Sequence, residues 1–196
     1  MKESFLFLAH GFEEVEALSA VDILRRADID VKTVSITDSL QVTGAHGVQI
    51  TCDLIFKDAS MDNADWLILP GGMPGATNLY EFAPLRKLLT RQASSKNGRI
   101  AAICASPAVV LGQMGLLKGE HATCYPGFEH LCKDAVMEDA AVIVSGKFVL
   151  GNGPANAMKW AIRIVSEELG EHAAIKVANG LLYYPRDEKE IDFYFG

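Results

Sequence analysis

"RIAAICASPAVVLG", residues 99–112, reads as a buried strand that runs into a cysteine and then bends. Ile100, Ala101, Ala102 and Ile103 form an apolar run with no polar alternation. That is the pattern of a strand covered on both faces, as in a parallel sheet flanked by helices. Pro107 follows three positions after Cys104, and proline is acceptable in a first helical turn, where its missing N–H is not needed. The stretch therefore predicts a strand-to-helix junction with Cys104 at the bend.

Working outward, residues 5–9, 31–36, 66–69 and 142–144 are further short apolar runs that read as buried strands. Helical periods lie between most of them. Val15, Leu18, Val21 and Leu24 recur every third residue behind an acidic first turn. Met158, Ala161, Ile162, Val165 and Leu169 trace one face before Gly170, a helix stop. Alternating strands and helices predict an α/β fold with a mainly parallel sheet. Two segments read instead as antiparallel hairpins: residues 40–53, turning at Thr43-Gly44-Ala45-His46-Gly47, and residues 141–151, broken at Ser145-Gly146. With no internal repeat or low-complexity linker, residues 1–196 read as a single domain. The end "PRDEKEIDFYFG", residues 185–196, is charged and then aromatic, so it either frays or docks on a neighbour.

Composition narrows the function classes. The chain has 196 residues, 49% hydrophobic and 22% charged, with a net charge of -7, a balance that disfavours nonspecific nucleic-acid binding. Glu13, Glu14 and Glu16 closely follow the first apolar run, which is wrong for a signal peptide or membrane span and makes a cytoplasmic protein the expectation. Cys52, Cys104, Cys124 and Cys132 contain no C-x-x-C pair, and reduced thiols fit better than disulfides. His121, Cys124, His130 and Cys132 fit no common zinc spacing, so no metal is expected. Neither a complete G-x-G-x-x-G nor a P-loop is present, and no cofactor is expected.

In parallel sheets function collects beyond the carboxyl ends of the strands, where this chain carries "HGFEEVEAL", "PGGMPGATN", "CASPA" and "GNGPANA". Two readings of Cys104 stand: a small buried core residue, or a thiol activated by a helix N-terminus that lowers its pKa. Gly71 and Gly72 offer unobstructed backbone N–H groups for an oxyanion, or merely a tight turn. Glu13 and Glu14 read as carboxylates tolerated by the helix dipole. Glu16, flanked by Val15 and Ala17, can point across the strand ends. Beside Cys104 it would share a proton, as a protonated carboxyl donating to the sulfur.

Taken together, "GFEEVEAL", "LPGGMPGA", "AAICASPAVVL", "TCYPGFE" and "NGPANAMKWAIRIV" resemble the ThiJ/PfpI superfamily, in the branch of the Parkinsonism-associated protein deglycase. The resemblance runs from the first strand to about Tyr183. It implies a flavodoxin-like three-layer α/β sandwich, a homodimer, a nucleophile-elbow Cys104 that oxidises readily, a partner carboxylic acid at Glu16, and backbone amides of Gly72 and Ala105 near the thiol. The activity implied is that of a glyoxalase or deglycase, a hydrolase or lyase acting on 2-oxoaldehydes such as methylglyoxal or on glycated protein. The alternative is a redox-sensing stress protein or chaperone working through Cys104 oxidation.

Tyr125 departs from the pattern, standing before Pro126 where active relatives often carry histidine. A phenol of ordinary pKa, about 10, is a poor base at neutral pH. The base would then be Glu16 or a histidine, with His10 and His46 as auxiliary candidates. No His-x-Glu pair supports a glutaminase, and Ala105 stands where related proteases place histidine. Thiazole-phosphate biosynthesis, a label given to such sequences, finds no phosphate site here.

Overall fold

A computed structural model describes residues 3–183, so the aromatic end of the chain lies outside the described residues. A seven-stranded sheet forms the centre. Its members are β1 (Ser4–Leu8), β2 (Val31–Ser35), β5 (Leu54–Ile55), β6 (Trp66–Leu69), β7 (Arg99–Ile103), β10 (Val142–Ser145) and β11 (Phe148–Gly151). They lie in the order β10-β11-β7-β6-β1-β2-β5, parallel except for the β10 edge. β3 (Gln41–Thr43) and β4 (Gln49–Thr51) make the first expected hairpin, pairing Val42 with Ile50. β10 and β11 make the second, pairing Ile143 with Leu150. β8 (His121–Ala122) and β9 (Val136–Met137) form a small separate pair.

Helices cover both faces, which is why the strands are apolar on both sides. α1 (Glu14–Arg26) and α4 (Ala157–Leu169), with α5 (Glu171–Gly180) beside α4, pack on Leu6, Leu8, Ile68, Ala101 and Ile103. On the other face α2 (Gly75–Glu81), α3 (Ala83–Ser94) and the helical segment Pro107–Gly112 pack on Phe5, Phe7, Leu67, Leu69, Ile100 and Ala102. The result is the three-layer sandwich. Gly170, at φ 88, stops α4 as expected, and α5 starts directly after it. No helix among the described residues is long and apolar enough to cross a membrane.

α1 corrects one expectation. Val15 and Leu18 point outward, 53% and 43% exposed, while Glu16, Ala17, Ala20, Ile23 and Leu24 are buried. A three-residue spacing drifts about 60° per step on a helix of 3.6 residues per turn, so Val15 and Leu24 end on opposite sides. The buried stripe follows Ala17, Ala20, Ile23 and Leu24 instead.

The strand order changes direction between β1 and β6: the chain fills β2 and β5 on one side, then β6, β7 and β11 on the other. A crevice opens at such a reversal, beyond the carboxyl ends of the strands. Residues after β1, β6 and β7 converge there.

Candidate active site

Cys104 follows β7 and adopts φ 63, a left-handed conformation that a non-glycine residue occupies at a cost. Its backbone is pinned from both sides. Its N–H donates to Gly151 C=O at 2.9 Å, and its C=O accepts from Tyr125 N–H at 2.8 Å. These neighbours on β11 and the 123–128 loop hold the bend that turns the strand into the segment Pro107–Gly112. The buried Ser106 hydroxyl donates to Pro70 C=O at 2.5 Å and ties this bend to the loop after β6. Cys104 thus stands at a strained turn between a strand and a short helical segment.

Glu16 reaches the same point from the first turn of α1 and is fully buried. Its Oε2 accepts the Gly71 N–H at 2.7 Å, while Oε1 has no hydrogen-bond partner among the described residues. Gly71 is glycine for a steric reason. A Cβ there would stand 2.6 Å from Cys104 Cβ, 2.8 Å from Glu16 Oε2 and 3.0 Å from Cys104 Sγ. The backbone fills the gap between acid and thiol, leaving no room for a side chain.

Electrostatics run against the expected acidic thiol. Burial, then the Glu16 charge and its hydrogen bond, push Cys104 up to about 12, opposed by the backbone amides of Gly72 and Ala105. The helical segment behind it is only six residues long and wound with π-type bonds such as Gln113 N–H to Ala108 C=O, so its dipole is too small to prevail. Burial likewise raises Glu16 to about 7, held back by the Gly71 amide and the Cys104 thiol, with Glu13 adding to the rise. Between these values the pair holds one proton and one negative charge, which belong to the pair rather than to either residue. The proton lies the other way from the one expected: the thiol keeps it and donates to the Glu16 carboxylate, and no helix acidifies the sulfur.

Of the three backbone candidates, Gly72 and Ala105 face the sulfur, whereas the Gly71 N–H is taken by Glu16. Tyr125 borders the site: its amide bonds Cys104, its ring stands edge-on to Phe128, and a Cβ on Gly153 would lie 3.5 Å from it. His10 accepts the Thr43 N–H on Nδ1 at 3.1 Å, which leaves its proton on Nε2 and makes that nitrogen a donor. His46 is 71% exposed and pairs with Glu14 at 3.0 Å and Glu13 at 3.7 Å rather than with the thiol.

That pairing shows what the sequence reading missed. Glu14 is not a solvated helix-entry carboxylate. It is buried and receives the N–H groups of His46 at 2.7 Å and Val48 at 3.3 Å, anchoring the β3–β4 hairpin to α1. Glu13, Glu14 and His46 bring three donor atoms within 4.8 Å of one another, a grouping able to hold a metal ion. Glu14 already spends its oxygens on the hairpin. The rejected zinc set does not assemble as one: His121 pairs with Glu138, His130 with Gly127 C=O, and Cys124 with Cys132.

The model of the DJ-1/PfpI family matches residues 2–167. The chain belongs to the DJ-1/PfpI family. It is 36% identical over 191 residues to Protein DJ-1 homolog B of Arabidopsis thaliana, covering 96% of this chain and 43% of that protein. It therefore spans under half of that relative, as it does of homolog A, of which 48% is covered. With "Deglycase PH1704" of Pyrococcus horikoshii it shares 32% identity over 163 residues, covering 82% of this chain and 95% of that one. The solved structure "Toxoplasma gondii DJ-1, oxidized" superposes with a TM-score of 0.89 at 36% identity, covering 94% of this chain and all of that one. The mainly parallel sheet with flanking helices is the DJ-1 fold.

Proposed function

We propose that the chain is a cysteine-dependent enzyme of glyoxalase or deglycase type acting on 2-oxoaldehydes such as methylglyoxal, or on their adducts with protein. The reading is supported most by one arrangement: Cys104 at a strained bend, Glu16 across Gly71, and the Gly72 and Ala105 amides turned on the sulfur. The name of the Pyrococcus horikoshii relative is consistent with it.

Because the thiol titrates above the carboxyl, Glu16 is the base. As Cys104 Sγ bonds to the aldehyde carbon, the thiol proton passes to the Glu16 carboxylate, and backbone amides steady the oxyanion. Glu16 returns that proton to the oxyanion and, a carboxylate again, takes the proton of the same carbon and delivers it to the neighbouring carbonyl carbon while the hydroxyl proton moves to the neighbouring oxygen, turning the hemithioacetal into a thioester. Water cleaves the thioester, giving lactate and the free thiol. Tyr125 need not act as a base in this scheme. The test is lactate formation from methylglyoxal by the wild type and by Cys104→Ala and Glu16→Gln. Turnover lost in both variants supports the reading, and turnover retained in Cys104→Ala overturns it.

A second reading, oxidation sensing by Cys104, draws on the tightness of the site. Cys104 is only 9% exposed. A small oxidant reaches such a sulfur more readily than a glycated side chain does. Homodimerisation belongs to the proposal as well, through the apolar patch of Val15, Leu18 and Val48 on α1 and the hairpin.

A further inference from the structure

The peptide group between Pro70 and Gly71 is held at both ends by side chains from different parts of the chain. Its C=O accepts the Ser106 hydroxyl at 2.5 Å, and its N–H donates to Glu16 Oε2 at 2.7 Å. A trans peptide is planar, with C=O and N–H pointing to opposite sides, so the two bonds grip one rigid plate from its two edges. Ser106 stands two positions beyond Cys104, on the turn that carries the sulfur. The four residues close a ring: Glu16 is held by the peptide, the peptide by Ser106, and Ser106 by the turn of the thiol that faces Glu16 across Gly71.

The serine hydroxyl is not used by its own helical segment. Ser106 occupies the N-cap position of Pro107–Gly112, where a serine oxygen ordinarily accepts an N–H of the first turn, and it makes no such bond. Fully buried, it turns to Pro70, which is buried as well. What this bond supplies is orientation. Gly71 has no room for a Cβ, which would stand 2.6 Å from Cys104 Cβ and 2.8 Å from Glu16 Oε2. The same lack of a Cβ frees the backbone on that side of the peptide to rotate. Rotation would withdraw the N–H from Glu16 and turn the Pro70 oxygen toward the carboxylate. The next carbonyls of the loop are tied by backbone instead: Gly71 C=O accepts from Glu13 N–H at 2.9 Å, and Gly72 C=O from Ala76 N–H at 2.9 Å. Glu16 depends on the outcome, because its Oε1 has no hydrogen-bond partner among the described residues.

We propose that Ser106 is a positioning residue, whose hydroxyl locks the Pro70–Gly71 peptide so that the Gly71 N–H holds the Glu16 carboxyl in line with Cys104. Ser106 acts through the peptide and not on the substrate. The catalytic consequence rests on the reading of Glu16 as the base of Cys104, whereas the lock rests on the two hydrogen bonds alone. Removing the hydroxyl leaves a buried carbonyl without its partner, a cost that rotation of the peptide relieves.

The test compares the wild type, Ser106→Ala and Ser106→Thr by amide hydrogen exchange, followed by NMR on the 15N-labelled chain, and by methylglyoxal kinetics. In Ser106→Ala the Gly71 amide is expected to exchange about 10-fold faster or more, while the amides of β6 and β7 keep their protection. Lactate formation should lose about 10-fold or more in kcat at an unchanged KM, the mark of a displaced base rather than a damaged fold. Ser106→Thr keeps the hydroxyl and is expected to restore both. The proposal is overturned if the Gly71 amide of Ser106→Ala is protected as in the wild type, or if Ser106→Thr loses as much protection as Ser106→Ala. It is also overturned if the Gly71 amide exchanges freely in the wild type, a result that decides the matter even where the alanine variant does not fold. The two readings fail separately. Exchange that responds as expected in preparations that form no lactate removes the enzymatic reading and leaves the lock; lactate formation with an unaltered Gly71 amide in Ser106→Ala removes the lock alone.

Discussion

The Glu16 carboxyl and the Cys104 thiol meet across Gly71, whose N–H donates to Glu16 Oε2 at 2.7 Å and whose missing Cβ is what lets acid and sulfur share one small space. Neither group keeps its ordinary titration there, because each is buried beside the other.

Removing the carboxylate should therefore free the sulfur. In Glu16→Gln the amide can still accept the Gly71 N–H, but the charge that raises Cys104 is gone. Alkylation of Cys104 by iodoacetamide, followed against pH, is expected to shift its midpoint downward in the variant. A midpoint unchanged from the wild type would show that the two groups do not interact.

The same carboxyl should make stability depend on pH. Its folded pKa is raised from 4.5 to about 7, so the folded state holds the proton more tightly than the unfolded state. The contribution is complete below about 4.5 and is lost as pH rises through about 7. That shift corresponds to a loss on the order of 3 kcal/mol. Denaturant unfolding at pH 5 and pH 8 should show the decline, and Glu16→Gln should largely remove it. Glu14 acts in another window: its pKa is lowered by His46 and the hairpin amides against the effect of burial, so its contribution is lost only as pH falls into the acid range.

Gly71→Ala tests the close approach. The added Cβ falls within 3.0 Å of three atoms, two of them belonging to Cys104. Overpacking of this kind costs about 1–3 kcal/mol. Urea unfolding should show that loss together with a fall in lactate formation. A fully active, equally stable variant would mean that the gap is wider than described.

The two sides of α1 should respond oppositely. Leu24→Ala empties a fully buried position and is expected to cost about 2–5 kcal/mol. Val15→Asp combined with Leu18→Asp alters only the exposed side. These changes should leave the circular dichroism spectrum intact and convert a dimer to a monomer in sedimentation velocity. A wild type that sediments as a monomer would remove the proposed dimer.

The apolar runs at residues 66–69 and 100–103 were legible as strands because helices on both faces impose the same demand on every residue. Cys104 was legible as a junction for the related reason that its strand ends there. Pairing it with Glu16 needed the whole pattern of motifs, since 88 positions separate the two in the chain. Its titration was not legible: burial and a neighbouring carboxyl are consequences of packing, and they outweigh the short helical segment that local sequence announces. Val15 and Leu18 misled because a three-residue spacing drifts around the helix and carries them away from the buried stripe of Ala17, Ala20, Ile23 and Leu24. The spacing of Leu85, Leu88, Leu89 and Gln92 carried the buried face of α3 and went unread. Glu14 carried no local signal, because the hairpin that buries it lies some thirty residues downstream.

The most direct measurement is the rate of lactate formation from methylglyoxal between pH 5 and 9 in the wild type and Glu16→Gln. The wild-type rate should rise through a midpoint near 7 as Glu16 ionises, and Glu16→Gln should lose that limb along with about 100-fold or more of the rate. A variant that keeps both the wild-type rate and the limb would show that Glu16 does not serve Cys104 as its base.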